Sequence, residues 1–234
     1  MKNILIGLLI LCYFFVSTAY SEEIKNISVE FTRTITADTS KEVVKGNIYY
    51  QAPNLTVLKV TDPINQWMIL ENDTMIIYYP KEEKAFKYTS KNPFSLPFFQ
   101  IFVNIGKDNL GLSEAGFTLV RNEIKEDTLI TYWKPPKQVK KALGNIIVGL
   151  SNDKLVLVEM HSPKRKKLAR ITFGNHFQYG DIFYPLEVVS VKYQKNGSTT
   201  EKVVYDNPQF NVELPQEVLN FKIPDGVEVE EIEW

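Results

Sequence analysis

Short apolar and β-branched runs of alternating polarity recur along most of the chain, and this pattern constrains the fold most. Clusters of Pro, Asn, Asp and Gly interrupt the runs about every ten residues, as in antiparallel sheets and barrels. Turn pairs such as Asn72-Asp73, Asn152-Asp153 and Asn196-Gly197 fit hairpins. We therefore predict a mainly β fold, built as an antiparallel sheet or barrel.

The pattern places the candidate strands along the whole chain. They are residues 27–36, 42–51, 55–61, 66–71, 74–79, 84–88, 117–123, 128–134, 145–151, 155–162, 169–178, 186–194, 199–207 and 218–223. No repeat or low-complexity linker divides them, so we expect one domain over residues 22–234.

The amino terminus has the layout of a cleavable secretory signal peptide over residues 1–21. Lys2 precedes an apolar run of roughly 13 residues, too short for a membrane-spanning helix, and small residues follow it. We predict cleavage after Ser21, with cleavage after Ala19 and an uncleaved anchor as the alternatives. Cys12 lies inside the apolar run, so the mature chain would have no cysteine, no disulfide and no lipid anchor.

Charge and motif content argue against several classes of function. Without the predicted signal peptide, 26 basic residues stand against 28 acidic ones, which does not indicate nucleic-acid binding. The basic cluster 164–167 fits a solvated turn. His161, interpreted as an exposed strand residue, and His176 are the only histidines, and no metal, cofactor or catalytic motif stands out. We therefore expect no enzyme, no metal and no cofactor.

One segment, residues 94–106, departs from the alternation and fits a short helix. Apolar residues at i, i+3, i+4 and i+7 form a stripe, a serine and a proline suit its start, and Gly106 suits its end. The stripe consists of Phe98, Ile101, Phe102 and Ile105. Two interpretations stay open: a helix that plugs the end of a barrel core, or a movable lid over an apolar cavity.

Two predicted strands, 66–71 and 74–79, are apolar on both alternating faces, so both faces need an apolar neighbour. A helix can cover one face, and the other can be core or a cavity. Because burial stabilises by about 25 cal/mol per Å² of apolar surface, such a cavity could hold acyl chains without any charged group. The sequence does not distinguish a filled core from a cavity.

Two blocks of the chain carry motifs of a known family. The first comprises Phe31-Thr32-Arg33, the stretch GNIYYQAPNL at 46–55, Pro63 and the stretch NDTMIIYYP at 72–80. The second comprises Asn207-Pro208 and the stretch FKIPDGVEV at 221–229. In order and spacing these blocks resemble the periplasmic outer-membrane lipoprotein carriers, the LolA-like proteins.

The resemblance implies a half-open antiparallel β-barrel, a strongly curved sheet closed by short α-helices. It implies a monomeric periplasmic carrier that binds the acyl chains of lipoproteins in an apolar cavity and ferries them toward the outer membrane. Its partners would be acylated lipoproteins, an inner-membrane release complex and an outer-membrane acceptor. The alternative is a lipoprotein-binding sensor or acceptor on the same fold, without transport. The candidate cavity residues are Trp67, Ile69, Met75, Ile77, Phe98, Ile101, Phe102 and Ile105.

Three features depart from the family pattern. Ala52 stands where the carriers tend to have an arginine that ties lid to barrel, so such a latch is absent or built elsewhere. Few residues separate Glu22 from Phe31, so the first lid helix of the family is short or missing. Arg33 replaces the glutamine of the first motif.

Overall fold

Strands dominate the computed structural model of the chain, which describes residues 24–37, 40–89, 99, 102 and 104–233. The strands are β1 Asn26–Ala37, β2 Ser40–Gln51, β3 Leu55–Asp62, β4 Gln66–Glu71, β5 Thr74–Tyr79, β6 Lys84–Thr89, β7 Thr118–Lys125, β8 Thr128–Lys134, β9 Ile146–Ser151, β10 Lys154–His161, β11 Lys167–Tyr179, β12 Ile182–Gln194, β13 Gly197–Phe210 and β14 Glu228–Glu233. A 3₁₀ turn spans Asp108–Gly111 and a single helical turn spans Gln216–Leu219.

All of these strands belong to one highly curved open sheet in the order β14-β6-β5-β4-β3-β2-β1-β13-β12-β11-β10-β9-β8-β7. Neighbouring strands are antiparallel, except that β14 runs parallel to β6. Most neighbours in the sheet are also neighbours in sequence, since short hairpins connect them. The prediction of a mainly β, strongly curved sheet is confirmed.

The last part of the chain is where the strand prediction is wrong. Residues 218–223 were expected as a strand, but Pro215 opens a helical turn in which the N–H of Leu219 donates to the Pro215 carbonyl at 3.2 Å. The last strand lies further on, at β14, which the sequence analysis missed. Its glutamates resemble surface charge, yet two of them, Glu228 and Glu231, lie opposite Lys84 and Lys87 of β6 and pair with them.

The apolar side chains of the sheet pack into two separate clusters, one on each face. We call the face that carries the larger cluster the inner face; it includes Phe31, Ile48, Tyr184 and Tyr205. The opposite, outer face carries a smaller cluster around Trp67, against which the segment after the helical turn packs. Because side chains alternate along a strand, the doubly apolar β4 and β5 need both covers.

Close approach between β2 and β3 depends on a glycine. A Cβ on Gly46 would collide with the carbonyl oxygen of Lys59 on the neighbouring strand. Ile48, two residues along on the same face, is fully buried in the inner cluster. The glycine therefore lets β2 and β3 curve tightly around the inner face.

Among the residues that the structure describes, no helix is both long enough and apolar enough to cross a membrane.

Candidate functional site

Two phenylalanines from the segment before β7 occupy the inner face of the sheet. Phe99 and Phe102 are helical and fully buried, and their ring centroids lie 5.7 Å apart in a stacked arrangement. The ring of Phe102 lies 5.0 Å from the rings of both Tyr184 and Tyr205. Phe102 therefore sits at the centre of an aromatic cluster, with partners on the adjacent strands β12 and β13.

The two tyrosines of this cluster are withdrawn from water. Burial raises the pKa of the Tyr184 phenol to about 12, and the nearby Tyr179 adds to the shift. Burial also raises the pKa of Tyr205 far above its ordinary value, with a smaller contribution from the charge of Glu201. Both phenols are therefore neutral at physiological pH, and the inner face around Phe102 is apolar and uncharged.

The end of the helical segment lies close to β12. The N–H of Lys107 donates to the carbonyl of Asn104 at 2.9 Å and closes the last turn. A Cβ on Gly106 would lie 2.8 Å from the Cδ1 of Ile182, so a side chain here would have to displace the end of Ile182. Ile105 packs on the inner cluster. The predicted helical end at Gly106 agrees with this geometry.

An aromatic row leads from the buried cluster toward solvent. Phe210 stacks on Tyr179 with ring centroids 4.4 Å apart and on Phe177 with centroids 6.2 Å apart. Phe210 is 8% exposed whereas Phe177 is 37% exposed. The inner face therefore has an open aromatic side next to β11, at which an apolar ligand could first make contact.

Further along β1 and β13 the inner face ends in a charged cluster. The Nε of Arg33 donates to Oε1 of Glu201 at 2.6 Å, and the Nζ of Lys192 lies 3.6 Å from its other carboxylate oxygen. By strand alternation Arg33 shares the face of Phe31, and Glu201 shares that of Tyr205. The apolar surface of the inner face therefore ends at this charged cluster.

The structure describes six of the eight predicted cavity residues and places them on two faces. Met75 packs on the inner cluster, and Ile77 faces the same way because it lies opposite the inner-facing Met68. Trp67 and Ile69 belong instead to the outer cluster. Phe102 and Ile105 lie on the inner face, as described above, and Phe98 and Ile101 lie outside the described residues.

The carboxyl-terminal segment covers Trp67 and Ile69 on the outer face. The ring of Phe221 stacks on Trp67 with centroids 5.4 Å apart, and Val218 is fully buried beside them. Trp67 and Ile69 therefore anchor this segment and are not in the cluster around Phe102. The sequence did not assign which face of β4 points inward, and only the register and the cover distinguish them.

Phe99 is an inner-face residue that the sequence analysis did not select, as are Tyr184, Tyr205 and Phe210. The predicted stripe contained residues at i, i+3, i+4 and i+7 around Phe102 and did not include Phe99. Phe99 and Phe102 are themselves spaced i, i+3, so they lie on one side of a turn. A search for the most aromatic i, i+3 pair would have found it.

The structure shows the contacts of Ala52 and His161, which the sequence analysis discussed. The N–H of Ala52, at the expected latch position, donates to the Lys25 carbonyl at 2.8 Å, so only its backbone forms a tie there. His161 is half-buried, with its Nε2 3.7 Å from the Glu159 carboxylate, rather than exposed as expected. Within the described part of the chain, no group of His, Cys, Asp and Glu is arranged to hold a metal ion.

The inner face around Phe99 and Phe102 suits the noncovalent binding of an apolar ligand. An aromatic pair fills the inner face, strands surround it, and the nearest charges lie at the end of the face. Apolar ligands that replace these rings would be held by burial, which stabilises by about 0.8 kcal/mol for each CH₂ group removed from water.

Comparison with known proteins agrees with this geometry. Residues 22–176, more than half of the chain, match the family model of the outer membrane lipoprotein carrier protein LolA. A search of curated protein sequences finds no match.

Solved structures share the fold at low sequence identity. One is a domain from Vibrio parahaemolyticus assigned to outer membrane lipoprotein sorting, with a TM-score of 0.60 and 11% identity over 85% of this chain and 91% of that one. Another is a LolA superfamily protein from Nitrosomonas europaea, with a TM-score of 0.55 and 12% identity over 83% and 89% of the two chains. A third is a DUF1329 family protein from Desulfovibrio piger, with a TM-score of 0.62 and 11% identity over 86% and 91%.

Proposed function

The chain belongs to the LolA family of outer membrane lipoprotein carrier proteins, and we propose that it binds the acyl chains of lipoproteins on the inner face of its sheet. The observation that carries the proposal is the burial of Phe99 and Phe102 on that face. These rings come from a segment between β6 and β7 rather than from the sheet, so they can leave without breaking a strand pairing. Acyl chains would then occupy the place of the rings.

The balance between the rings and the cargo sets the affinity. Burial of an acyl chain contributes about 0.8 kcal/mol per CH₂ group. The same displacement exposes two phenylalanine rings, which costs part of that gain. Net affinity is the difference between the two, and release follows when the rings return to Tyr184 and Tyr205. This competition lets the protein release cargo with Ala52 at the family's latch position.

The proposed cargo face is the inner face alone. Met75, Ile77, Phe102 and Ile105 belong to it, whereas Trp67 and Ile69 hold the outer cluster. The Arg33–Glu201 pair would lie next to the polar end of a bound lipoprotein, since it closes the apolar surface. No catalytic step is part of the proposal.

Membership of a periplasmic family of lipoprotein carriers supports a role in transport. We propose that the mature protein, residues 22–234 after signal-peptide removal, receives acylated lipoproteins from an inner-membrane release complex and delivers them to an outer-membrane acceptor. It would act as a monomer, because one sheet provides the whole inner face.

Mass spectrometry of the species that co-purify with the exported protein tests the binding step. We expect acyl-chain lipid or lipoprotein to be present, and less of it with Met75→Asp, because a carboxylate that the sheet holds on the inner face disfavours acyl contact. Ile76→Asp is the matched control, since it places the same carboxylate on the outer face of the same strand. An apo protein without affinity for triacylated peptide would contradict the proposal. Binding without transfer from donor to acceptor vesicles would instead favour a sensor.

A further inference from the structure

Positive charge is concentrated in one part of the chain. Residues 134–170 contain ten Lys and Arg against two Asp and Glu, although the whole chain has a formal net charge of −1. Two loops carry most of this charge: 135–145, between β8 and β9, and 162–166, between β10 and β11. We call the two loops together the basic end.

Backbone hydrogen bonds hold these loops side by side. The N–H of Gly144 donates to the His161 carbonyl at 2.7 Å, and the N–H of His161 donates to the Asn145 carbonyl at 3.1 Å. A Cβ on Gly144 would collide with the carbonyl of Ser162, so glycine permits the approach. The hairpin loop is further closed by the N–H of Lys166, which donates to Oγ of Ser162 at 3.0 Å. The charges are thus displayed on one fixed surface.

The cations of the basic end point to solvent without acidic partners. Within the described part of the chain, none of its exposed cations forms an ion pair, in contrast to the lysines of β6. The unpaired cations are Lys137, Lys140, Lys141, Lys164, Arg165 and Lys166. Glu159, on β10 beside the loops, is 8% exposed and is bound by Lys167 and Arg170. Glu123, which accepts from the hydroxyl of the pocket residue Tyr132, is already paired with Lys125. The surface therefore attracts anions.

An open pocket of about 380 Å³ lies between the two loops. Polar groups line it on several sides, including Tyr132, Asn145, His161 and Arg165. The guanidinium of Arg165 is the only lining side chain that is always charged, and it suits a phosphate. The pocket and the surrounding lysines point to a ligand that combines a phosphate with an extended anionic surface.

One apolar side chain projects from the same loop. Val139 is 40% exposed between Gln138 and Lys140, while Leu143, four residues on, packs on the inner cluster and fixes the loop. An exposed apolar residue among lysines is typical of segments that rest at the boundary between headgroups and acyl chains. A soluble acidic protein would use the lysines but would not require Val139.

We propose that the basic end docks on membranes that contain anionic phospholipids, with a headgroup phosphate in the pocket and Val139 at the apolar boundary. Clusters of four to eight Lys and Arg beside an apolar anchor bind such surfaces by charge attraction. The site goes beyond acyl-chain binding, because it uses loops outside the inner face. It would bring a carrier to the membrane from which it loads.

Sedimentation with phospholipid vesicles tests the site. The purified protein is mixed with vesicles of phosphatidylcholine alone or with about one third phosphatidylglycerol. We expect binding only to the anionic vesicles, and its loss between about 0.1 M and about 1 M salt, because the Debye length falls from ~10 to ~3 Å. Equal binding to neutral vesicles, or no binding to either, would overturn the proposal.

Variants with equal net charge locate the contact. The triple variant Lys137→Glu, Lys140→Glu, Lys141→Glu is expected to weaken vesicle binding at least about tenfold. The control Lys41→Glu, Lys81→Glu, Lys222→Glu changes the same charge on exposed residues elsewhere and is expected to bind within about twofold of the wild type. Circular dichroism confirms that both variants are folded. An equal loss in both variants would contradict a defined site.

Two further variants separate this site from the rest of the protein. Val139→Ser should weaken binding to anionic vesicles, since it removes the apolar anchor without a change of charge, whereas an unchanged value would leave no role for Val139 and would contradict the proposed mode. Met75→Asp, altered only on the inner face, should bind vesicles as the wild type does. If the wild type binds triacylated peptide but not anionic vesicles, the membrane-docking proposal is contradicted and the acyl-binding proposal is not.

Discussion

The ring of Phe102 lies 5.0 Å from the ring of Tyr205, and both side chains are at most 1% exposed. Phe102 comes from a segment outside the sheet and Tyr205 from the middle of β13. The contact therefore joins the segment that we propose is displaced by cargo to a strand that stays in place, and the first prediction follows from it.

Replacement of Phe102 should have opposite effects on stability and on acyl binding. Phe102→Ala is expected to lower the free energy of unfolding by about 3–5 kcal/mol, since it leaves a cavity among aromatic rings. The same cavity should raise affinity for acyl chains, because less apolar surface has to be displaced. Urea titration and binding of a fluorescent fatty acid measure the two effects.

The control for this prediction is Phe221→Ala on the outer face. It should also lower stability, since it removes the stack on Trp67, but it should leave acyl binding unchanged. If Phe102→Ala fails to fold, Phe102→Leu provides the comparison at a cost of about 1 kcal/mol. Equal affinities of both variants and the wild type would contradict the inner face as the binding surface.

Stability should fall at alkaline pH because of the buried tyrosines. Burial raises the pKa of Tyr184 to about 12 from the ordinary value of 10.0, and that of Tyr205 further. A raised folded-state pKa means that the contribution of the neutral phenol is complete below pH 10 and is lost as pH rises through the folded value. Urea midpoints should therefore drop between pH 10 and pH 12.

Tyrosine-to-phenylalanine variants assign the loss of stability at alkaline pH to particular residues. Tyr184→Phe and Tyr205→Phe should each reduce the alkaline drop, because phenylalanine cannot ionise. Tyr193→Phe, on a ring that is 38% exposed, should leave the drop as it is in the wild type. An alkaline drop of full size in the Tyr184→Phe, Tyr205→Phe double variant would argue against burial as its cause.

Gly46 should be intolerant of any side chain. Gly46→Ala is expected to destabilise the protein by about 3 kcal/mol or more, because its Cβ would meet backbone atoms of Lys59 that cannot move aside. Gly174→Ala is the matched control, since a Cβ there would meet nothing within 4 Å. Thermal unfolding compares them, and similar melting temperatures would show that β2 and β3 can separate.

Glu159 should contribute more to the stability of the fold than an exposed glutamate does. Its Oε1 accepts from Lys167 at 2.7 Å and from Arg170 at 3.1 Å, and its side chain is 11% exposed. Glu159→Gln is expected to cost about 1.5–3 kcal/mol, the range for hydrogen bonds to charged groups. Glu231→Gln, at an exposed pair with Lys87, should cost less than about 1 kcal/mol. Equal losses in urea titrations would show that burial adds nothing at Glu159.

Strand alternation predicted most of the sheet because it is a local property. Gln66–Glu71, Thr74–Tyr79 and Thr128–Lys134 have the bounds expected from the sequence alone. The failure at 218–223 has a nonlocal cause: Val218 is buried by Trp67, far away in sequence, and this contact can be met by a helical turn as well as by a strand. β14 was not predicted because its partner lysines on β6 also lie far away in sequence.

The candidate site was harder to predict than the sheet. Periodicity identified the segment that carries Phe102, since an i, i+3, i+4 stripe is local. It could not assign the faces of β4 and β5, because both are apolar and only distant cover distinguishes them. Met75 therefore lies with Phe102, while Trp67 lies with Phe221 on the other side of the sheet.

Native mass spectrometry with a triacylated peptide tests the central claim most directly. We predict a complex of one protein with one peptide, at least about tenfold weaker in Met75→Asp and unchanged in Ile76→Asp, since a carboxylate opposes acyl contact only where the sheet holds it on the inner face. No complex with the folded wild type, or equal binding by folded Met75→Asp, would contradict acyl-chain binding on the inner face.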